Sequence, residues 1–198
     1  NYLISSQNQI STTIFNAMSI AQDGRKGPVL IDLPKDMCAK SVCDKESSLN
    51  EKYTCGNHKQ KINKKTLDSL VDMVFEAKKP ILYCGGGIVS SSGASSQLTK
   101  LVKLIKCPIT LTLMGLGAYP SDEPECLQML GMHGSYEANL AMHGADLIIA
   151  IGARFDDRVT GNIADFSPNS KKIHIDIDPS SINKNIKVDL EVISDSSS

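Results

Sequence analysis

No apolar run in this chain approaches the roughly 18 residues a membrane-crossing helix needs, and the polar start "NYLISSQNQ" has neither a basic nor an apolar leader region. The chain therefore reads as soluble and untargeted. An excess of charge of either sign is missing too: the net charge is -1, with acids and bases interleaved. That leaves no broad electrostatic footprint for nucleic acid or anionic lipid, so neither is expected as a partner. The paired Cys-x-x-Cys knuckle of a zinc site is absent. Cys38, Cys43, Cys55 and His58 do cluster in "CAKSVCDKESSLNEKYTCGNH", but the spacing is loose and no metal is assigned to it. Cys84 and Cys107 sit in apolar runs, where a thiol behaves as a small hydrophobe, so a reducing compartment is expected.

What is present is ordinary globular chemistry, with 198 residues, 41% apolar and 22% charged. Ile10, Ile14, Met18 and Ala21 recur at helical spacing, "DGRKG" interrupts them, and "PVLIDLP" reads as a short buried strand. Residues 38–62 are rich in Lys, Ser and Asn without a clear period, which marks a linker between residues 1–37 and a domain at 63–198.

Beyond the linker, Asn63 can cap a helix striped by Leu67, Leu70, Val71, Val74 and Phe75. "PILYCGGG", "PITLTLMG", "DLIIAIGA", "KKIHIDID" and "DLEVISD" read as strands. Residues 93–106 and Ser135–His143 read as helices, the first with Leu98, Leu101, Val102 and Ile105 inward, the second with Gly144 as its C-cap. Near-continuous apolar strands alternating with helices predict an α/β fold, a doubly wound parallel sheet covered on both faces.

In such a sheet a ligand lies beyond the carboxyl ends of the strands. There the sequence places "GGG" (Gly85, Gly86, Gly87), "TLM" (Thr112, Leu113, Met114), "RFDDR" (residues 154–158) and "DID" (Asp176, Ile177, Asp178), while "GMHG" precedes a helix. Glycines let a backbone approach phosphate closely, Asp176 or Asp178 can accept from ribose hydroxyls, and arginine forks match phosphate oxygens or stack on rings. Each cluster also has a plain reading. "GGG" is not the G-x-G-x-x-G fingerprint and can be a tight turn, and "RFDDR" can be a surface ion-pair cluster. His133 can cap a loop, His143 a helix end, and His174, mid-strand, reads as structural. The case for a ligand is the convergence of these clusters on one edge.

"GRKGPVLIDLPKD", "GGGI", "LMGLGAYP", "LGMHGSYEANLAMHGADLIIAIGARFDDRVTG" and "HIDIDPSSINK" resemble the catalytic subunits of acetolactate synthases, over about residues 10–195. The block from Leu130 to Gly161 separates that family from its thiamine-diphosphate-dependent relatives. The resemblance implies a Rossmann-like, DHS-like NAD/FAD-binding central domain at 63–198. Residues 1–37 would then be the last helix and strand of a pyrimidine-binding domain. It also implies that the family's catalytic glutamate lies before residue 1, and no Gly-Asp-Gly metal motif occurs in these residues, so the chain alone is expected to be inactive. The activity implied for the intact enzyme decarboxylates pyruvate and joins the remaining two-carbon unit to pyruvate or 2-oxobutanoate, in branched-chain amino acid synthesis. Thiamine diphosphate and Mg2+ serve that reaction.

FAD is the cofactor implied for this domain, in a structural role because the reaction has no net redox. The resemblance carries FAD contacts onto Arg25, Gly85, Gly86, Gly87, Thr112, Leu113 and Met114. It carries them also onto Gly131, Met132, His133 and Gly134, and onto Gly152, Ala153, Arg154, Phe155, Asp157, Arg158 and Val159, with Asp157 and Arg158 near the flavin ring. Asp176, Ile177, Asp178 and Asp195 complete the set, although the tail "ISDSSS" departs from the family's usual Gly-Asp-Ala. A homodimer or tetramer with a regulatory small subunit, in the cytoplasm or in a plastid or mitochondrion, is implied as well. The rival expectations are a related decarboxylase or carboligase whose central domain binds ADP or nothing, and a nucleotide-binding module without catalysis.

Overall fold

The computed structural model describes residues 1–39 and 62–198. It divides into two compact units, residues 1–58 and 59–198. Cys43, Cys55 and His58, and nearly all of the expected linker, lie outside the described residues. Cys38 is exposed, and no group of three or more potential metal ligands occurs among the described residues.

In the first unit the helix α1 (Ile10–Gln22) joins β1 (Tyr2–Leu3) to β2 (Ile31–Asp32), which pair in parallel, and α2 (Lys35–Ala39) follows. Of the expected strand at 28–34, only Ile31–Asp32 is ladder-paired.

The second unit is a parallel sheet of six strands in the order β5-β4-β3-β6-β7-β8. These are β3 (Pro80–Cys84), β4 (Ile109–Leu111), β5 (Cys126–Met129), β6 (Leu147–Ile151), β7 (Lys171–Asp176) and β8 (Leu190–Ile193). Side chains alternate across the sheet, so each face collects its own core. Leu82 and Cys84, Leu147 and Ile149 fall on one face under α3 (Lys64–Glu76) and α5 (Ala94–Ile105). Ile81 and Tyr83, Ile148 and Ala150 fall on the other, under α6 (Tyr136–Gly144). Both faces are covered, as a doubly wound sheet requires. Chain order reverses between β3 and β6, which makes the gap beyond their carboxyl ends the topological switch point. Gly86 follows β3 and Asp176 ends β7, both parallel to β6, so the two lie on the same edge.

Asn63 caps α3 as expected, its Oδ1 accepting from Lys65 N at 3.1 Å. The apolar stripe of α3 is narrower than its sequence pattern. Leu70 and Val74 pack on the core with Met73, while Phe75 is 84% exposed and Leu67 and Val71 face outward. Gly144 does not end α6 in a left-handed turn, because Ala145 leaves in extended conformation straight into β6. Asp146 anchors that entry by accepting from Lys78 N at 2.7 Å and Lys79 N at 2.9 Å. The strand β5 was not expected. It is a half-buried edge strand whose register against β4 is irregular, and Gln128 there holds a φ of 65°. A segment with one residue in left-handed conformation and only one neighbour shows no strand period.

Candidate functional site

The expected site residues of the second unit are gathered by the turns that follow the strands, and the turns are fastened to one another. Gly85 N donates to Ile151 O and Gly87 N to Gly152 O, both at 3.0 Å, joining the turn after β3 to the turn after β6. Thr112 N donates to Cys84 O at 2.9 Å, Gly152 N to Ile175 O at 2.8 Å, and Met132 N to Arg158 O at 2.9 Å. Arg25, by contrast, belongs to the first unit, exposed on the turn after α1.

The glycines serve this fastening. A Cβ on Gly85 would sit 2.2 Å from Gly152 O, and one on Gly87 would sit 2.6 Å from Gly152 Cα. Gly152, at φ +55°, needs its own freedom, as its Cβ would meet Gly87 Cα at the same 2.6 Å. Gly131, at φ +101°, lets the Arg158 carbonyl come within 2.5 Å of where a Cβ would be, and Gly134 does likewise for Met129 O at 2.3 Å. Sequence reasoning gave these glycines to ligand backbone contacts; the structure gives their missing side chains first to packing of one turn on the next. Gly86 differs, since its nearest neighbour is the side chain of Met114 at 3.1 Å. It opens the short helix α4 (Gly86–Ser90), which the sequence pattern did not reveal.

The "RFDDR" turn leads from β6 into α7 (Asp157–Thr160) and is held from beneath at three successive carbonyls. His174 Nε2 lies 2.8 Å from Ala153 O, Tyr83 donates its hydroxyl to Arg154 O at 3.0 Å, and Asn185 Nδ2 donates to Phe155 O at 2.7 Å. Ala153 and Phe155 are themselves buried, so their side chains face the core. The Phe155 ring packs 5.6 Å from Tyr83, 5.9 Å from Phe166 and 5.4 Å from His174. Val159 is partly buried against the same cluster. Burial pushes the Tyr83 hydroxyl well above its ordinary pKa, so it remains a donor across the working pH range. Tyr83 and Asn185 were not singled out in the sequence: one is a lone tyrosine in an apolar strand, the other an unremarkable amide in "INKNIK".

What remains outward is polar and apolar in alternation. Arg154 pairs with Asp156 at 2.8 Å, and Arg158 Nε approaches Asp157 at 3.9 Å, all of these side chains substantially exposed. Exposed pairs of this kind contribute about 0–1 kcal/mol, so the guanidinium groups can exchange partners readily. Leu113, Met114 and Met132 are 68%, 75% and 61% exposed, apolar surface at the same edge. His133 is exposed beside Met132.

At the end of β7, Asp176 is nearly buried and accepts from Asp178 N at 2.8 Å. Asp178 caps the following turn through Ser180, and Ile177 lies between them, half-buried. Asp195, after β8, accepts from the Ser91 hydroxyl and from Ser197 N. A small cleft lined by Arg154, Asp156, Ser181, Lys184 and Asn185 lies between the turns after β6 and β7. None of the helices among the described residues is long and apolar enough to cross a membrane.

Comparison with known proteins identifies the family. The family model described as "Thiamine pyrophosphate enzyme, central domain" matches residues 67–198. The chain is 42% identical over 201 residues to the acetolactate synthase isozyme 3 large subunit of Escherichia coli, covering 98% of this chain and 34% of that protein. It is 40% identical over 197 residues to the probable acetolactate synthase large subunit of Methanocaldococcus jannaschii, with 98% and 33% covered. With the chloroplastic acetolactate synthase 1 of Zea mays it shares 42% over 198 residues, with 98% and 30% covered. The chain thus spans about a third of the length of the curated relatives it matches. With a family match over most of the second unit and identities of this order along nearly all of its length, the chain belongs to the thiamine pyrophosphate enzyme central-domain family.

Proposed function

We propose that this chain is the flavin-holding central portion of an acetolactate synthase large subunit, an enzyme that condenses pyruvate with a second 2-ketoacid to 2-acetolactate or 2-aceto-2-hydroxybutanoate. The observation that carries this reading is the joint placement of the "RFDDR" turn, the nearly buried Asp176 and the exposed Leu113, Met114 and Met132 on one sheet edge. An isolated edge has no reason to expose three large apolar side chains beside two arginines. A ligand with a flat ring system, a ribityl or ribose chain and a diphosphate does supply one, because each part finds a matching surface.

FAD fits these residues. The arginines match diphosphate oxygens or stack on the ring, the apolar side chains cover ring faces, and Asp176 accepts from hydroxyls. Gly85, Gly86, Gly87, Thr112, Gly131, His133, Gly134, Gly152, Val159, Ile177, Asp178 and Asp195 complete the proposed cradle within the second unit. Since the condensation has no net redox, FAD acts there as a structural group. Thiamine diphosphate, bound with Mg2+ in the whole enzyme, supplies the electron sink for decarboxylation. These residues hold and orient the flavin, and exclude water from the side they cover.

In the whole enzyme the catalytic subunits associate as a homodimer or tetramer with a regulatory small subunit, in the cytoplasm or in a plastid or mitochondrion. The 198 residues by themselves are expected to make no acetolactate from pyruvate with thiamine diphosphate, Mg2+ and FAD added, and a colorimetric acetoin assay measures this. Titration with FAD, followed by flavin fluorescence, tests the cradle directly. Quenching is expected in the wild type, with Arg158→Ala weakening binding by about 1.5–3 kcal/mol if its guanidinium donates to an anionic oxygen. Absence of quenching at millimolar FAD overturns the assignment.

A further inference from the structure

We propose that His174 is a positioning residue for the "RFDDR" turn: its ring N–H, donated from beneath to the Ala153 carbonyl, sets the direction in which Arg154 and Arg158 leave the sheet edge. The role in ligand binding rests on the cradle proposed above; the clamp itself does not.

The geometry assigns the proton. A carbonyl oxygen can only accept, and Nε2 lies 2.8 Å from Ala153 O, so Nε2 carries the hydrogen and Nδ1 is the bare nitrogen. Nδ1 is buried and has no hydrogen-bond partner among the described residues, which suits a bare acceptor far better than a second N–H. The ring is fully buried in mid-strand between Ile173 and Ile175, where an aliphatic side chain would satisfy packing without a stranded nitrogen. The polar return for burying an imidazole there is the single bond to Ala153. Edge-on contact with Phe155 ties the ring to the next residue but one of the same turn, and Tyr83 and Asn185 hold the two carbonyls between and beyond.

The ionisable groups around the ring are Asp176 and Lys172 on β7, Glu191 at the paired position on β8, Tyr83 on β3, and Arg154 and Asp156 in the turn. Lys172 is occupied by the Ser167 and Ser170 carbonyls, and Glu191 by Asn183. Asp176 Oδ2 stands 3.8 Å from Nε2, beyond hydrogen-bond reach. Burial holds the imidazole below its usual range, against the opposing pull of Asp176 and of the Ala153 carbonyl. Protonation would place an N–H on the stranded Nδ1, so acid works against the clamped arrangement.

Two variants separate positioning from core filling. His174→Gln puts an amide N–H where imidazole Nε2 lies and does not titrate; His174→Leu keeps apolar bulk and has no donor. Hydrogen exchange, read by mass spectrometry on the 198-residue chain, is the primary measurement. In His174→Leu, exchange of residues 154–160 should rise about five- to tenfold, the net worth of one hydrogen bond, with β3 and β6 unchanged; His174→Gln should match wild type. Between pH 7 and 5, after correction for intrinsic rates, wild type should lose protection in this segment and His174→Gln should not. FAD affinity should fall by a similar factor in His174→Leu and be retained in His174→Gln. Unchanged exchange at 154–160 in His174→Leu, or equal loosening of every segment in both variants, overturns the proposal. If His174→Leu does not fold, the acid response decides, and an identical response in wild type and His174→Gln overturns it. Absence of FAD binding by wild type would sink the cradle, while the clamp would still be judged by exchange.

Discussion

Replacing Gly85 by alanine should be among the most damaging single-methyl changes in this chain, and replacing its neighbour Gly86 among the mildest. The backbone of Gly85 is extended, at φ -118°, so alanine meets no conformational obstacle. The obstacle is contact: the new Cβ would lie 2.2 Å from Gly152 O and 2.6 Å from Ala153 Cα, where non-bonded carbon needs roughly 3.5 Å. Both are backbone atoms, so the turn after β6 must retreat by about 1 Å. That retreat strains the bonds Gly85 N to Ile151 O and Gly87 N to Gly152 O, together about 2 kcal/mol. Overpacking adds about 1–3 kcal/mol. A total of roughly 3–5 kcal/mol is a large share of a typical domain stability of about 5–15 kcal/mol. At Gly86 the new methyl meets Met114 alone, its Cβ at 3.1 Å and its carbonyl oxygen at 3.3 Å, tight contacts that a shift of a few tenths of an ångström in this exposed turn relieves. The better helix propensity of alanine, about 0.5–1 kcal/mol, offsets part of that adjustment in α4. Urea unfolding followed by far-UV circular dichroism gives both values. A Gly85→Ala unfolding free energy within about 0.5 kcal/mol of wild type, or a Gly86→Ala loss as large as that of Gly85→Ala, would refute the claim that Gly85 exists to let the turns pack.

Other outcomes follow from the same contacts. Phe155→Ala removes a buried ring that touches Tyr83, Phe166 and His174, and should lower stability by about 3–5 kcal/mol in a thermal melt; a loss below 1 kcal/mol would mean the site collapses around the gap. At Asp146, partial burial pushes the carboxyl up, but the amides of Lys78 and Lys79 outweigh it and leave the group below its ordinary value. Its contribution is therefore present above the ordinary carboxylate range and lost as pH falls through the lowered value. Asp146→Asn should be about 1 kcal/mol less stable at pH 7 and indistinguishable from wild type in strong acid, where urea titrations at several pH values will find it. His174 gives the same direction in a higher pH window, because the unfolded chain takes up a proton that the folded one resists, so wild type should lose stability as pH drops below the usual imidazole value. In His174→Gln that acid slope should be absent.

The placement of each strand-end cluster was legible because it depends on chain order. Once "PILYC", "LIIAI" and "KKIHID" are parallel strands, the residues after them must reach one edge, whatever the side chains do. Side-chain direction was not legible. "RFDDR" shows a reader of letters one phenylalanine among four charges, with nothing to say which way each points, yet Phe155 turns inward while Arg154 and Arg158 turn out. Leu67, Val71 and Phe75 share the sequence stripe of Leu70 and Val74 and still face away from the core. The strand β5 gave no period because it is short, half-buried and bent at Gln128.

The sequence alone determined the alternation of strand and helix, the parallel sheet and the edge on which Gly85, Arg154 and Asp176 gather, since local periodicity and the connection rules leave few other topologies. Only the tertiary structure decided what those residues do for one another. The glycines are spent on turn-to-turn contacts a few ångströms across, and His174, Tyr83 and Asn185, 11 to 102 positions apart in the chain, converge on three adjacent carbonyls. Hydrogen bonds and close contacts act over about 3 Å, and distance along a sequence carries no record of which groups come that near.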